Sequence, residues 1–298
     1  MSLSKAEYDK STFFYDEIMN SFKMDFSLYE DLIEILKPES ILELGCGMGR
    51  LFPIFLKEAK IITGIDLSDE MLSKARQSYA KRNLDNIVVE FINDDMRSFR
   101  IDKKYDLIVI ALSVLKHLST NEERFYALRN ARNHLNKNGF IFIDHTPFLY
   151  ASTSTDWIDA VNSLVVDWVP DKSILKGYQW KKVVEGKKDI LLWRYNNSKQ
   201  TEFQVQFTTY RYDIEKLLEH IKKLNMSYEH VLSEWGANGL GKKGKRFIGL
   251  VSYPGNKTSP QKTFRERIFE RNDKLWSDHN LYLDEKNRKE KWKDAKHA

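Results

Sequence analysis

A chain of 298 residues, 42% hydrophobic and 13% aromatic, is long enough for one large α/β domain with an insertion, and too apolar to stay disordered. A formal net charge of +5 permits an anionic partner without arguing for one. The single cysteine, Cys46, excludes a disulfide framework and a cysteine zinc site, so no metal is expected. The polar opening "MSLSKAEYDK" does not read as a secretory leader. The most apolar run, "LIVIALSVL" from Leu107, is too short to span a bilayer. Together these point to a cytoplasmic protein with no membrane partner.

Two helices, over about 5–20 and 25–36, precede the first strand. Short apolar runs then alternate with helical patterns. "ILEL" (41–44), "IITGID" (61–66), "VVEFIN" (88–93), "YDLIVIAL" (105–112) and "GFIFIDH" (139–145) predict five strands, each apolar enough to be covered on both faces. Helices are predicted from about Arg50, from Ser68 with Asp69 and Glu70 in the first turn, and over 121–136, where Gly139 offers a left-handed cap. Strand, helix, strand in repetition predicts an α/β fold with a doubly wound, mostly parallel sheet of seven strands. After Tyr150 three strand-like runs joined by "EGKK" and "NNSK" predict a small antiparallel sheet inserted into that fold. A helix over 213–224 and strands near 228–235 and 246–253 complete the main sheet, and the glycine-rich "GANGLGKKGK" joins those two strands. The expected division is 1–37 (helices over the site), 38–149 (core), 150–212 (insert), 213–254 (end of the core sheet) and 255–298 (a charged helical extension).

The first strand runs into "ELGCGMGR". Its glycines, Gly45, Gly47 and Gly49, allow close approach of a ligand, but a dinucleotide fingerprint needs its third glycine one position later, where Arg50 stands. Asp66 ends the second strand, 21 residues after Gly45, where a carboxylate accepts from ribose hydroxyls. Asp95, in "NDDM" after the third strand, is placed to accept from an adenine amine.

These motifs resemble those of class I S-adenosylmethionine-dependent methyltransferases: "ELGCGMGR" their acid-x-G-x-G-x-G turn, "GIDLSDEMLSKAR" their second motif and "NDDM" their third, over residues 40–145. The resemblance implies a Rossmann-like fold and S-adenosylmethionine as cofactor. It implies that Glu43, Gly45, Cys46, Gly47 and Gly49 cradle the methionine part, that Asp66 binds the ribose, and that Leu67 and Met71 pack on the adenine. Asp95 and the Met96 backbone read the base, with Leu112 completing the set.

The closer similarity is to small-molecule N-methyltransferases acting on amino sugars and glycine-like amines. It is carried by the early Tyr15–Asp16, the run from Ser113 to Leu118, the insert, and "KRFIGL" in the last strand. It implies that Tyr15 lines the cofactor pocket and that His117 sits beside the acceptor. Lys116 departs from it, standing where a small residue is common. The acceptor is then a small molecule or peptide, with an amine the leading reading and O- or C-methylation or non-catalytic cofactor binding behind it. Nucleic acid is not the expected substrate, because basic and acidic residues are mixed in the tail; a homodimer is compatible with everything read so far. An attacking amine must be unprotonated, so a base with pKa near 7 helps. His117 fits best, with His145 the next candidate and Asp144 a partner for a cationic acceptor. Trp157, Trp168, Trp180 and Trp193 read as packing or as a lid over the acceptor, and Lys242, Lys243, Lys245 and Arg246 as a solvated turn or an anion clamp.

Overall fold

The computed structural model describes residues 12, 15, 16, 23, 25–82, 84, 86–145, 154–159, 176–196, 201–232 and 247–256. Trp168, the turn with Lys242, Lys243, Lys245 and Arg246, and the charged extension lie outside them. In chain order the elements are α1 (Phe26–Leu36), β1 (Ser40–Leu44), α2 (Phe52–Phe55), β2 (Ile61–Asp66), α3 (Asp69–Ala80), β3 (Val88–Asn93) and β4 (Tyr105–Ile110). A 3-10 turn (Val114–His117), α4 (Asn121–Asn133), β5 (Leu135–His145), β6 (Ser154–Asp159), β7 (Tyr178–Glu185), β8 (Lys188–Asn196), β9 (Thr201–Tyr210), α5 (Ile214–Lys223), β10 (Ser227–Leu232) and β11 (Phe247–Ser252) follow. Among the described residues no helix is long and apolar enough to cross a membrane.

Seven strands form the main sheet in the order β10-β11-β5-β4-β1-β2-β3. β1 pairs in parallel with both β2 and β4, and β11 is antiparallel to both β5 and β10. The strand order reverses at β1, which opens a crevice at the carboxyl ends of β1 and β4. β1 is buried along its whole length, whereas the edge strand β3 is partly exposed. Local chemistry starts the helices. The Ser68 hydroxyl accepts from the Met71 N–H at 3.2 Å, and Thr120 and Glu123 form a reciprocal capping box on α4.

The insert is a second sheet of four strands, β6-β7-β8-β9, one more than the three strand-like runs predict. Trp180 and Trp193 stand directly opposite each other on β7 and β8, and both are buried. β9 lies against the 3-10 turn, and its Phe207 meets Tyr15 edge-on at 6.2 Å.

Gly139 does not cap a helix; it lies inside β5. A Cβ there would come within 2.8 Å of the Asp106 carbonyl oxygen and 3.0 Å of the Tyr105 carbonyl oxygen, so the glycine admits a close approach of β4. Gly64, central in β2, does the same behind the glycine turn: a Cβ would lie 2.5 Å from Cys46 Sγ and 2.9 Å from Phe52 Cζ. Gly64→Ala is therefore expected to cost ~1–3 kcal/mol of stability by overpacking this seam. Urea unfolding checks it; a loss below about 0.5 kcal/mol would mean that the turn yields to the extra methyl.

Candidate functional site

The glycine turn is held from behind by β2. The Gly45 and Cys46 N–H groups both donate to the Ile65 carbonyl, at 2.8 and 3.1 Å. Gly45, Gly47 and Gly49 have φ of +74°, +54° and +74°, the left-handed region that side chains disfavour. Asp66 spans the two loops: one carboxylate oxygen accepts from the Gly47 N–H at 2.8 Å and the other from the Ser68 N–H at 2.9 Å. Below the turn, Tyr79 donates to the Gly49 carbonyl at 2.9 Å, and Phe52 stacks on Phe91 with centroids 4.9 Å apart.

These elements enclose a cavity. Of the expected cofactor residues, Tyr15, Glu43, Gly45, Cys46, Gly47, Asp66, Leu67, Met71, Met96 and Leu112 line it, and so does His117. Gly49 supports the turn from beneath, where its Cβ would crowd Phe91 and Tyr79. The sequence reading missed Met48, Arg50, Ser68, Ala111 and Val114 in this wall. Arg50 is fixed by two 2.7 Å hydrogen bonds to the fully buried Asp25 of the segment leading into α1. That pairing joins positions 25 residues apart, and no local pattern announces it. A hollow of about 960 Å³ lies elsewhere, between residues 97–104 and the last turns of α4, but it is open and has no glycine turn in its lining.

Besides Gly49, three expected residues are not in the cavity wall. Asp95 is turned to Arg97, accepting from its backbone N–H at 2.8 Å and from its guanidinium, so its carboxylate is committed to a local clasp. His145 is fully buried behind the sheet end, with Nε2 2.7 Å from the Tyr212 carbonyl oxygen, and its ring packs on Tyr212. Asp144 is also fully buried, and its backbone carbonyl accepts from the Ser113 N–H at 2.9 Å. Both stand on β5 where it pairs with β11, His145 opposite Phe247 and Asp144 opposite Ile248.

That Ser113 contact secures a strained corner. Leu112 and Ser113 have φ of +46° and +60°, unusual for residues with side chains. The corner swings the chain off β4 and delivers Val114 and His117 to the cavity wall. His117 bonds the Thr208 backbone on β9, and burial with the nearby Lys116 charge pushes its pKa down to about 4. The imidazole is thus neutral at physiological pH and far less basic than the pKa near 7 expected from sequence. Burial pushes Glu43 up to about 8 against the pull of Arg50, and Tyr15 up to about 12.

Residues 41–139 match the methyltransferase domain family. The chain is 31% identical over 133 residues to the Streptomyces venezuelae dTDP-3-amino-3,4,6-trideoxy-alpha-D-glucopyranose N,N-dimethyltransferase, covering 44% of this chain and 52% of that protein. The chain thus spans about half the length of the curated relatives it matches. Two solved structures share the fold. One is a Clostridium acetobutylicum S-adenosylmethionine-dependent methyltransferase (TM-score 0.60, 17% identity, 83% of this chain and 99% of that one). The other is a sugar N-methyltransferase from a Streptoalloteichus species (TM-score 0.58, 16% identity, 81% and 91%).

The residues present fit S-adenosylmethionine. Asp66 accepts from two backbone N–H groups, and a carboxylate, with about four lone-pair sites, is the kind of acceptor that ribose hydroxyls require. Glu43 Oε2 is buried and lacks a hydrogen-bond partner among the described residues, which suits the ammonium of the methionine part. A Cβ on Gly47 would fill space bounded by Met71 Sδ at 3.5 Å, and Leu67, Met71, Met96 and Leu112 offer apolar surface for the adenine.

Asp66→Asn is expected to weaken S-adenosylmethionine binding by ~1–3 kcal/mol, since an amide sets its own N–H groups against those donors. Calorimetry reads this, and an unchanged affinity in a folded variant removes Asp66 from the site. Glu43 gives a pH signature without cofactor. Its folded pKa of about 8 lies above its ordinary 4.5, so between those values unfolding releases a proton and stability falls as pH rises. Glu43→Gln is expected to match the parent near pH 4.5 and to exceed it by roughly 2–4 kcal/mol above pH 8. Equal stabilities at both ends would show that Glu43 ionises freely.

Proposed function

We propose that this chain, whose residues 41–139 match the methyltransferase domain family, is a class I S-adenosylmethionine-dependent enzyme that methylates an amine on a small molecule. When bound, the cofactor supplies an electrophilic methyl group on a sulfonium sulfur. The glycine turn, Asp66 and Glu43 would hold it, and the β7–β9 sheet above the 3-10 turn excludes water from the acceptor side. Placement alone carries much of such a transfer, worth ~7–11 kcal/mol in favourable cases.

The observation that carries the amine reading is the depressed pKa of His117 at the cavity wall. A hydroxyl or carbon acceptor needs a base to remove a proton as it attacks, and an imidazole titrating near 4 is a weak one. A free amine brings its own lone pair and needs only to be aimed. One neutral imidazole nitrogen can accept from an acceptor N–H while the other holds Thr208, leaving the lone pair pointed at the methyl carbon. The proton on the new ammonium then leaves to solvent after transfer. The Streptomyces relative, an N,N-dimethyltransferase by name, supports the same choice.

The test is a panel of small amines, alcohols and phenols incubated with S-adenosylmethionine and read by mass for an added methyl. Methylated alcohols with untouched amines would overturn the reading. With the preferred amine, His117→Asn is expected to lower kcat about 10-fold or more while leaving cofactor affinity intact. The pH profiles of parent and variant should keep one shape from pH 6 to 9, set by the acceptor's own ionisation. An ionisation near 6–7 in the parent that vanishes in His117→Asn would instead make His117 a proton acceptor.

A further inference from the structure

The open hollow of about 960 Å³ between residues 97–104 and the last turns of α4 shares no lining residue with the cofactor cavity. Its wall carries five cations, Arg97, Arg100, Lys103, Lys104 and Arg129, against one carboxylate, Asp102. Two of the five are neutralised by carboxylates outside the wall. Arg97 pairs with Asp95 and Glu123, and Lys103 Nζ lies 3.1 Å from Glu90. Arg100, Lys104 and Arg129 have no carboxylate partner among the described residues, and all three are exposed. The Arg129 guanidinium instead stacks on the ring of Tyr126, 4.8 Å from its centroid.

The groove has a fixed floor. The Asn130 side chain donates to the Met96 and Phe99 carbonyls at 3.4 and 3.1 Å. His134 packs on Phe99 with ring centroids 4.3 Å apart, its Nδ1 lies 2.9 Å from the Asn130 carbonyl oxygen, and its Nε2 accepts from the Ile101 N–H at 3.4 Å. These contacts tie the 97–104 segment to α4 before any ligand arrives. The unpaired cations therefore stand on a prepared frame, two on the segment and one on the helix.

Three unpaired cations around one concavity attract a ligand with several negative charges. The shape and the lining select among such ligands. A small-molecule site buries most of its ligand, which an open hollow does not do. A single nucleic-acid strand is held by aromatic faces that stack its bases as well as by cations, whereas Phe99 in this wall is 1% exposed and lies against His134. Tyr126, 44% exposed, and Arg129 beside it are the residue types that anchor protein interfaces, and a guanidinium pairs bidentately with a carboxylate. We infer that this groove docks an acidic segment of a partner protein, whose Glu and Asp side chains pair with Arg100, Lys104 and Arg129. The surface is separate from the cofactor cavity, so the inference goes beyond the methyl-transfer reading and does not rest on it.

The test titrates the full-length protein into a short fluorescein-labelled peptide alternating Glu and Ser, read by fluorescence anisotropy. A labelled oligothymidylate of equal charge and inorganic pyrophosphate stand for the other occupants. Saturable peptide binding is expected, and it should weaken about 10-fold or more from low to physiological salt. The combined Arg100→Glu, Lys104→Glu and Arg129→Glu variant should lose about 10-fold or more in affinity. A control with the same net charge, Lys81→Glu, Lys188→Glu and Lys222→Glu at exposed positions elsewhere, should bind as the parent does. Thermal unfolding checks that both variants are folded; if the first is not, Arg100→Gln with Arg129→Gln carries the same direction of loss. Equal loss in groove and control variants overturns the docking site, because net charge alone would then explain the binding. So does the absence of saturable peptide binding, whether or not pyrophosphate binds, and so does tighter binding of the oligothymidylate than of the peptide.

Discussion

The site depends on one carboxylate. Asp66 accepts from Gly47 on one side and Ser68 on the other, joining the loops that follow β1 and β2 at the point where the strand order reverses. Hydrogen bonds to a carboxylate are shorter and stronger than neutral ones, and these two set both loops before a ligand arrives. The ordering is thereby done at folding rather than at binding. Packing reinforces it: Gly64 leaves room for Cys46 and Phe52, and the Ile65 carbonyl gathers two more turn N–H groups.

A second constraint acts from the other side of the crevice. Two consecutive left-handed residues, Leu112 and Ser113, cost ~1–3 kcal/mol each. They persist because the Asp144 carbonyl holds Ser113, and Arg124 reaches from α4 to the Leu115 and Leu118 carbonyls. The corner presses Val114 against Gly45, where a Cβ would lie 2.3 Å from Val114 Cγ2. The Asp144 backbone carbonyl thus helps to fix the corner that presents His117.

Desolvation sets the chemistry between these constraints. The same burial lifts Glu43 and Tyr15 and lowers His117 and Lys116, moving each toward its neutral form. The inserted sheet contributes to that burial around the 3-10 turn, since β9 lies on the turn.

The sequence by itself determined what local rules govern. Continuous apolar runs marked β2 and β3 to the residue and β1 to within one residue. The glycine spacing and Asp66 marked the cofactor turn, because a backbone that must adopt positive φ beside a ligand leaves few residue choices. Tertiary structure decided the rest. Both His117 and His145 lie at or after strand ends, and nothing local distinguishes them; Tyr212, arriving some 67 residues later, takes the His145 ring, while His117 stands at the cavity. The clasp of Asp95 with the Arg97 guanidinium was not announced by the motif. Gly139 looked like a helix cap until β4 packed so close that an added Cβ would lie within 3.0 Å of its carbonyl oxygens. Which segment covers a residue sets its solvation, and solvation sets its charge, so these assignments become visible only when distant stretches of chain are packed together.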